Sequence, residues 1–216
     1  MKIGILGTGI VGNTIGSKLT SLGYEVKMGS RTANNEKALT WVKSAGLKAS
    51  AGTFADAASF GEIIFNCTSG GVSIEALKMA GEKNLDGKIL IDVANPLDFT
   101  KGFPPTLIPN LANTNSLGEE IQKTFPNTKI VKTLNTMTCL VMVDASKVPG
   151  EHDVFVCGND VAAKEKVKEI LNSFGWKSPI DLGDITMSRG VEMMLPIWVR
   201  LYGLMKSPMF NFKIAK

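Results

Sequence analysis

Apolar and polar positions follow two rhythms along this chain, and up to about residue 130 the rhythms take turns. Short β-rich apolar runs at 3–6, 25–28, 47–49, 63–67, 88–93 and 130–134 predict strands. Stretches at 10–22, 34–44, 54–59, 73–82 and 116–125 predict helices between them. In the first of these, Ile10, Val11, Ile15 and Leu19 fall on one face of a 3.6-residue repeat. Strands that alternate with helices are joined by crossovers, which is the connectivity of a parallel sheet. The pattern lapses between 95 and 113, where Pro96, Pro104, Pro105 and Pro109 predict a long loop. Loops of that length are usually functional. After about residue 148 the rhythm restarts, with strands at 153–157 and 178–182, a helix at 162–174 and a last helix at 188–205. Pro196 should kink or interrupt that last helix. The expected fold is α/β, doubly wound, with a mainly parallel sheet formed by residues 1–148. Residues 149–216 are expected to form a small C-terminal α/β extension packed on it, because they are too few to bury a core alone.

The turn after the first predicted strand reads Gly7-Thr8-Gly9-Ile10-Val11-Gly12. This is G-x-G-x-x-G in the context it requires, with a strand before it and a helix after it. Gly7 permits the tight turn, Gly9 lets backbone approach a pyrophosphate, and Gly12 lets the helix lie close to the strand. Phosphates then sit at a helix N-terminus, where unpaired N–H groups and the helix dipole favour anions. The fold is therefore expected to be of Rossmann type and to bind a dinucleotide.

The second strand indicates which dinucleotide. A site for NAD usually carries Asp or Glu at this strand's tip, to hold the ribose hydroxyls. Here the tip reads Gly29-Ser30-Arg31-Thr32, without a carboxylate. A guanidinium between two hydroxyls matches the oxygens of a 2′-phosphate. The expected cofactor is NADP(H), bound through Ser30, Arg31 and Thr32, with Lys37 as an additional candidate contact.

Composition narrows the alternatives. Hydrophobic residues make up 44% and charged residues 20% of 216 residues, the balance of an ordinary globular protein. The net charge of +4 comes from scattered lysines, which argues against nucleic acid and suits an anionic small molecule. No apolar run reaches the ~18 residues of a membrane span. The first apolar run is too short and too soon broken by glycine for a signal peptide, so a cytoplasmic protein is expected. Cys67, Cys139 and Cys157 are widely spaced and His152 is the single histidine. That set predicts free buried thiols, with neither a zinc site nor a disulfide framework.

With these residues in hand, the chain resembles the F420-dependent NADP oxidoreductases, whose dinucleotide domain also occurs in the cytosolic part of membrane ferric reductases. The resemblance rests on the Gly7 to Gly12 turn, on Gly29-Ser30-Arg31 and on Asp92-Val93-Ala94-Asn95-Pro96-Leu97. It rests further on Val131-Lys132-Thr133-Leu134-Asn135-Thr136 and on the tail Pro208-Met209-Phe210-Asn211-Phe212-Lys213, and so covers nearly the whole length. It implies a deazaflavin, coenzyme F420, lying against the nicotinamide at the carboxyl ends of the strands. By resemblance, Thr68 and Ser69 would pass near the nicotinamide ribose, and Cys67, Asn95 and Pro96 would also touch the cofactor. Leu97, Asn135, Thr136 and Met137 would flank the acceptor. The chain departs from the archaeal reductases where it carries Asn135-Thr136-Met137-Thr138-Cys139 in place of a histidine-bearing segment.

The expected activity is hydride transfer between NADPH and a second redox cofactor or planar small-molecule acceptor. Such chemistry needs positioning more than acid–base groups. The sequence offers no Ser/His/Asp set and no paired carboxylates near the strand ends, so no catalytic residue is named and no metal is expected. His152 is read as a surface residue, and Arg189, Glu192 and Arg200 as solvated or packing charges. The Met-rich apolar stripe from Met193 to Met205 is read as core plus the interface of a homodimer. The alternatives are another NADPH-dependent reductase on the same fold, of ferric, flavin or imine type, or an NADP-binding sensor without turnover.

Overall fold

A computed structural model describes residues 1–215. Strand and helix alternate as the sequence predicts: β1 Lys2–Leu6, α1 Ile10–Ser21, β2 Glu25–Ser30, α2 Glu36–Ala45, β3 Ala49–Thr53, α3 Phe54–Phe60 and β4 Ile63–Asn66. The chain continues with α4 Ser73–Ala80, the single turn α5 Glu82–Leu85, β5 Ile89–Asp92, a small hairpin of β6 Leu97–Asp98 and β7 Thr106–Leu107, α6 Leu117–Thr124 and β8 Lys129–Thr133. It ends with the short α7 Cys139–Met142, β9 Phe155–Cys157, α8 Val161–Ser173, β10 Ile180–Asp181, α9 Ser188–Met193 and α10 Leu195–Met205.

Eight strands form one sheet in the order β10-β9-β8-β5-β4-β1-β2-β3. All neighbouring strands run parallel except β8 and β9, which pair antiparallel. Helices cover both faces, and two apolar clusters result. One is built around Ile5, Leu19, Trp41 and Val156, the other around Leu6, Ile64, Leu77 and Leu90. Near-continuous apolar strands such as Ile63–Asn66, buried at all four positions, are what a sheet covered on both faces requires. The chain runs outward from β1 to β2 and β3, then crosses back to β4 on the other side of β1. That reversal opens a crevice at the carboxyl ends of β1 and β4, the position at which open α/β sheets bind ligands.

Local chemistry sets the helix starts. Asn35 caps α2 by accepting the Ala38 N–H, Asp160 caps α8 through Ala163, and Thr53 and Asp56 form a reciprocal capping box on α3. Gly16 lets α1 meet α2, since a Cβ there would lie 2.7 Å from the Trp41 ring, and the Trp41 indole donates to Ser17.

The structure corrects three sequence expectations and shows the interruption of the last helix that Pro196 predicts. The third strand is Ala49–Thr53 rather than 47–49, because it pairs with the whole of β2, from Val26↔Ala49 to Ser30↔Thr53. Leu47, on which the expectation rested, is fully exposed in the preceding turn. The long loop holds the β6–β7 hairpin and a single 3₁₀ turn at Pro109–Leu111. The strands expected at 153–157 and 178–182 shorten to β9 and β10 and extend the main sheet. The last helix breaks at Met194, and Pro196 stands in the first turn of α10, where its missing N–H costs no helical bond. Among the described residues, no helix is long and apolar enough to cross a membrane.

Candidate functional site

β1 delivers the chain into the glycine turn. Gly7 adopts φ +119°, and a Cβ there would stand 2.6 Å from the carbonyl oxygen of Cys67. Only glycine fits both the conformation and the space. Gly12 packs so closely that a Cβ would run into the carbonyl oxygen of Gly7. Gly9 is different. It is exposed, and nothing lies within 4 Å of the position its Cβ would take. Gly9 is also the N-cap of α1, which has neither a side-chain cap nor an acidic residue in its first turn. The first N–H groups of the helix therefore keep their positive end open toward solvent.

A cleft of about 530 Å³ opens beside this turn, lined by Gly7, Thr8, Gly9, Ser30, Arg31, Thr32, Cys67 and Thr68. Ser30 is buried, and its hydroxyl is engaged within its own turn: Oγ donates to the Thr32 carbonyl at 2.5 Å and accepts the Thr32 N–H at 3.3 Å. Ser30 thus shapes the strand tip. Arg31 stands exposed on it, and no carboxylate among the described residues pairs with it. Lys37 is not brought to this cleft. It lines a separate surface groove with Lys18 and Lys147. Phe54, Val72 and Met79 supply apolar wall that sequence reasoning did not single out, because they come from helices packed beside the turn rather than from the motif.

A second cleft of about 330 Å³ adjoins the first, and Cys67 and Thr68 line both. Ile10, Val11, Leu97, Asn95, Asn135 and Met137 line it, with Leu195, Trp198 and Val199 from α10. Ile10, at the start of α1, is 73% exposed there. Pro96 and Thr136 are buried behind the wall and do not line the cleft. Pro96 holds its loop by accepting the Ile108 N–H at 2.8 Å.

Under the two clefts runs a buried polar network. The Thr68 hydroxyl donates to Asn66, and Asn66 donates to Asp92 at 2.8 Å. Lys132 Nζ lies 2.8 Å from Asp92 Oδ2 and 2.9 Å from Glu192 Oε1, and it donates to the Ala94 carbonyl. Glu192 in turn accepts the backbone N–H groups of Leu117 and Gly118, at the start of α6. All three charged side chains are at most 1% exposed. Burial alone would lower the lysine's pKa, but the two carboxylates outweigh it and hold the ammonium charged. Burial pushes Glu192 above the usual carboxylate range, with Lys132 opposing. Glu192 is therefore not a solvated charge, and two carboxylates do meet at a strand end, where none were expected. No periodic signal could have joined residues 92, 132 and 192.

The remaining candidates are structural. His152 is half-buried rather than on the surface. Its ring stands edge-on to Trp176 at 5.0 Å, and Nε2 lies 2.9 Å from the Ala145 carbonyl. Arg189 forms a two-point ion pair with Glu119, and Arg200 is exposed. Cys139 and Cys157 are buried free thiols and Cys67 is half-buried. Burial pushes Cys157 up to about 12, and it pushes Cys67 up as well. Among the described residues, no group of three or more His, Cys, Asp or Glu could hold a metal ion.

Comparison with known proteins agrees with this geometry. Residues 2–96, from β1 to the loop after β5, match the family "NADP oxidoreductase coenzyme F420-dependent". An F420-dependent NADP reductase of Methanocaldococcus jannaschii is 29% identical over 209 residues, covering 93% of this chain and 92% of the relative. Metalloreductase STEAP3 of Rattus norvegicus is 30% identical over 204 residues, but this chain spans only 38% of its length. Imine reductases, among them that of Myxococcus stipitatus with NADP+, share the fold at TM-score 0.66 and 18% identity, covering 95% of this chain and 64% of theirs. A crystal structure from Arthrobacter sp. FB24, provisionally named an F420-dependent NADP reductase, superposes with TM-score 0.95 at 50% identity over the whole of both chains. With the glycine turn, the Ser30–Arg31 tip and this full-length match in place, the chain belongs to the F420-dependent NADP oxidoreductase family.

Proposed function

We propose that this protein transfers hydride between NADP(H) and a second redox molecule, with the deazaflavin coenzyme F420 as the leading acceptor. The observation that carries the reading is the pair of adjoining clefts. One is built for a dinucleotide phosphate and the other for a planar apolar ring, and they meet at Cys67 and Thr68. The cradle fits the cofactor, since the open space at Gly9 admits a pyrophosphate where any Cβ would intrude. The backbone of Gly7 to Gly12, including Thr8, Ile10 and Val11, would hold the phosphates. Arg31 and Thr32, shaped by Ser30, would hold the 2′-phosphate. Cys67, Thr68 and Asn95 would border the nicotinamide half, and Leu97, Asn135 and Met137 the acceptor. Pro96 and Thr136 keep these loops in place from behind.

When bound, NADPH supplies the hydride. The protein's own part is to hold two ring faces in register and to exclude water, and the walls fit that task. Ile10, Met137, Leu195 and Val199 make the second cleft largely apolar. Among the described residues, Glu75 borders the first cleft, whereas the lining of the second carries neither histidine nor carboxylate, which suits a transfer that needs no acid–base residue. In the same proposal residues 1–148 bind nucleotide and residues 149–216 complete the acceptor cleft and the contact between two copies of a cytoplasmic homodimer. The exposed Ile197, Leu204 and Met205 on α10 support that contact.

The test is to mix the protein with NADPH and follow nucleotide absorbance alone, with coenzyme F420, with flavin, with a cyclic imine and with ferric chelate. Oxidation with the deazaflavin far above the rest supports the proposal. Oxidation only by imine or ferric chelate moves the protein to the reductases of that type, and binding without oxidation by any acceptor makes it a sensor. Replacing Arg31 by Asp is expected to weaken NADPH by roughly 10- to 100-fold, the size of one or two charge-assisted hydrogen bonds, and to leave NADH nearly unchanged. Equal losses for both nucleotides would refute the selector.

A further inference from the structure

The amide of Asn135 is fixed in one orientation by neighbours that leave no choice. Asn95 Nδ2 faces the backbone carbonyl of Asn135 at 2.9 Å. A carbonyl can only accept, so the group facing it must be the NH2 and Asn95 Oδ1 must point the other way. That oxygen receives Asn135 Nδ2 at 2.9 Å, and the same Nδ2 also donates to the carbonyl of Val191 at 3.0 Å. Both N–H bonds of Asn135 are therefore committed to the β5 loop and to α9. Its Oδ1 accepts no hydrogen bond from any described residue. Nor does it belong to the set of sealed, unpartnered polar atoms, which are Asn13 Oδ1, Trp198 Nε1 and Asn211 Oδ1. The residue is only 2% exposed, yet it lines the second cleft. What it presents there is an acceptor oxygen, rigidly aimed and unpaired.

We infer that Asn135 Oδ1 is a positioning acceptor for the N–H of a planar conjugated amide or imide bound in the second cleft. Two groups in the proposed reaction carry that chemistry: the carboxamide of the nicotinamide and the ring imide of a deazaflavin. Either would fix the in-plane rotation of its ring against the partner ring, which stacking on Ile10 and Met137 cannot do. Stacking on apolar side chains leaves a ring free to turn, whereas a directional hydrogen bond does not. The Asn95–Asn135 pair thus ties the orientation of the ligand to the loop after β5. This inference rests on the hydride-transfer reading given above.

Ligand analogues lacking the donor test it directly. The affinity of the unmodified protein is measured by calorimetry for NADP+ and for its 3-acetylpyridine analogue, in which a methyl replaces the carboxamide NH2. In parallel, with NADP+ present, it is measured for 5-deazariboflavin and its 3-methyl derivative, in which the imide N–H is blocked. Removing the accepted donor is expected to weaken binding by about tenfold, the worth of one hydrogen bond. In Asn135→Ala, or in Asn135→Ser should the alanine variant not fold, the same pair is expected to bind with equal affinity. Discrimination in the NADP+ pair assigns the oxygen to the nicotinamide, and discrimination in the deazaflavin pair assigns it to the acceptor. If the protein distinguishes neither pair, or if the variant still distinguishes as well as the parent, the inference is overturned. Failure of NADP+ itself to bind would instead refute the proposed function.

Discussion

Replacing Lys132 by methionine is expected to be among the costliest single changes in this molecule. The side chain is fully buried and its ammonium is, among the described residues, the sole cation between Asp92 and Glu192, at 2.8 and 2.9 Å. Methionine fills similar volume, so the loss is electrostatic rather than a cavity. Two buried carboxylates are left without a counter-charge, and removing one partner of a buried ion pair costs about 3–5 kcal/mol. For a chain of this size, each kcal/mol lowers Tm by about 2–4 °C, which gives a fall of roughly 6–20 °C. The sign of the pH dependence follows from Glu192. Burial already raises its folded pKa, and Lys132 opposes that rise. Without the lysine the rise grows, so the variant's fold favours the neutral acid. Its stability is best retained in acid and lost as pH rises through the raised value. Calorimetric melts of both proteins from about pH 4 to about pH 8 should therefore show a deficit that widens with pH. A Tm fall under about 2 °C, or a deficit that does not change with pH, would refute the reasoning. Replacing the whole triad by apolar residues should not restore stability, because Glu192 also accepts the N–H groups of Leu117 and Gly118 and Asp92 accepts from Asn66.

Other consequences are simpler to measure. Gly9→Ala should cost at most about 1 kcal/mol, as an N-cap change. It should weaken NADP(H) by a larger factor in titrations, whereas Gly12→Ala should cost about 1–3 kcal/mol because its Cβ meets the Gly7 carbonyl, which cannot move aside. Cys157 should resist alkylation by iodoacetamide at neutral pH in the folded protein and react only on unfolding, because burial holds its pKa at about 12. Glu119 accepts hydrogen bonds from Arg189, which hold its carboxyl below the usual carboxylate range. A depressed carboxylate stabilises the fold above its unfolded pKa and loses that contribution as pH falls. The Tm difference between the parent and Arg189→Met should therefore be present at neutral pH and shrink in acid. A difference that grows on acidification would contradict the assignment.

The legible parts of the site share a property. The glycine turn, the Ser30–Arg31 tip and the first five strand–helix units are each decided within a few dozen consecutive residues. The local requirements there are a positive φ at Gly7, a helix capped without a side chain at Gly9, and an apolar face repeating along α1. Ser30 shows the limit even of this reading. Its presence at the strand tip was legible, but its hydroxyl is turned inward to Thr32, because the chain must bend sharply there. Lys37 lies too far around α2 to share the cleft, although it is only six residues from Arg31.

The sequence by itself determined a doubly wound α/β fold with a glycine turn that leaves the start of α1 open, and a second-strand tip without a carboxylate. It could do so because backbone conformation and helix periodicity are written in neighbouring residues. Only the tertiary structure decided that Glu192 reaches 75 residues back to cap α6. It alone joined Lys132 to Asp92, made α10 a wall of the second cleft, and left Asn135 with one free oxygen. Those facts depend on which distant elements pack together. A buried charge is tolerated only where partners converge on it from separate strands and helices, and convergence of that kind leaves no period in the sequence.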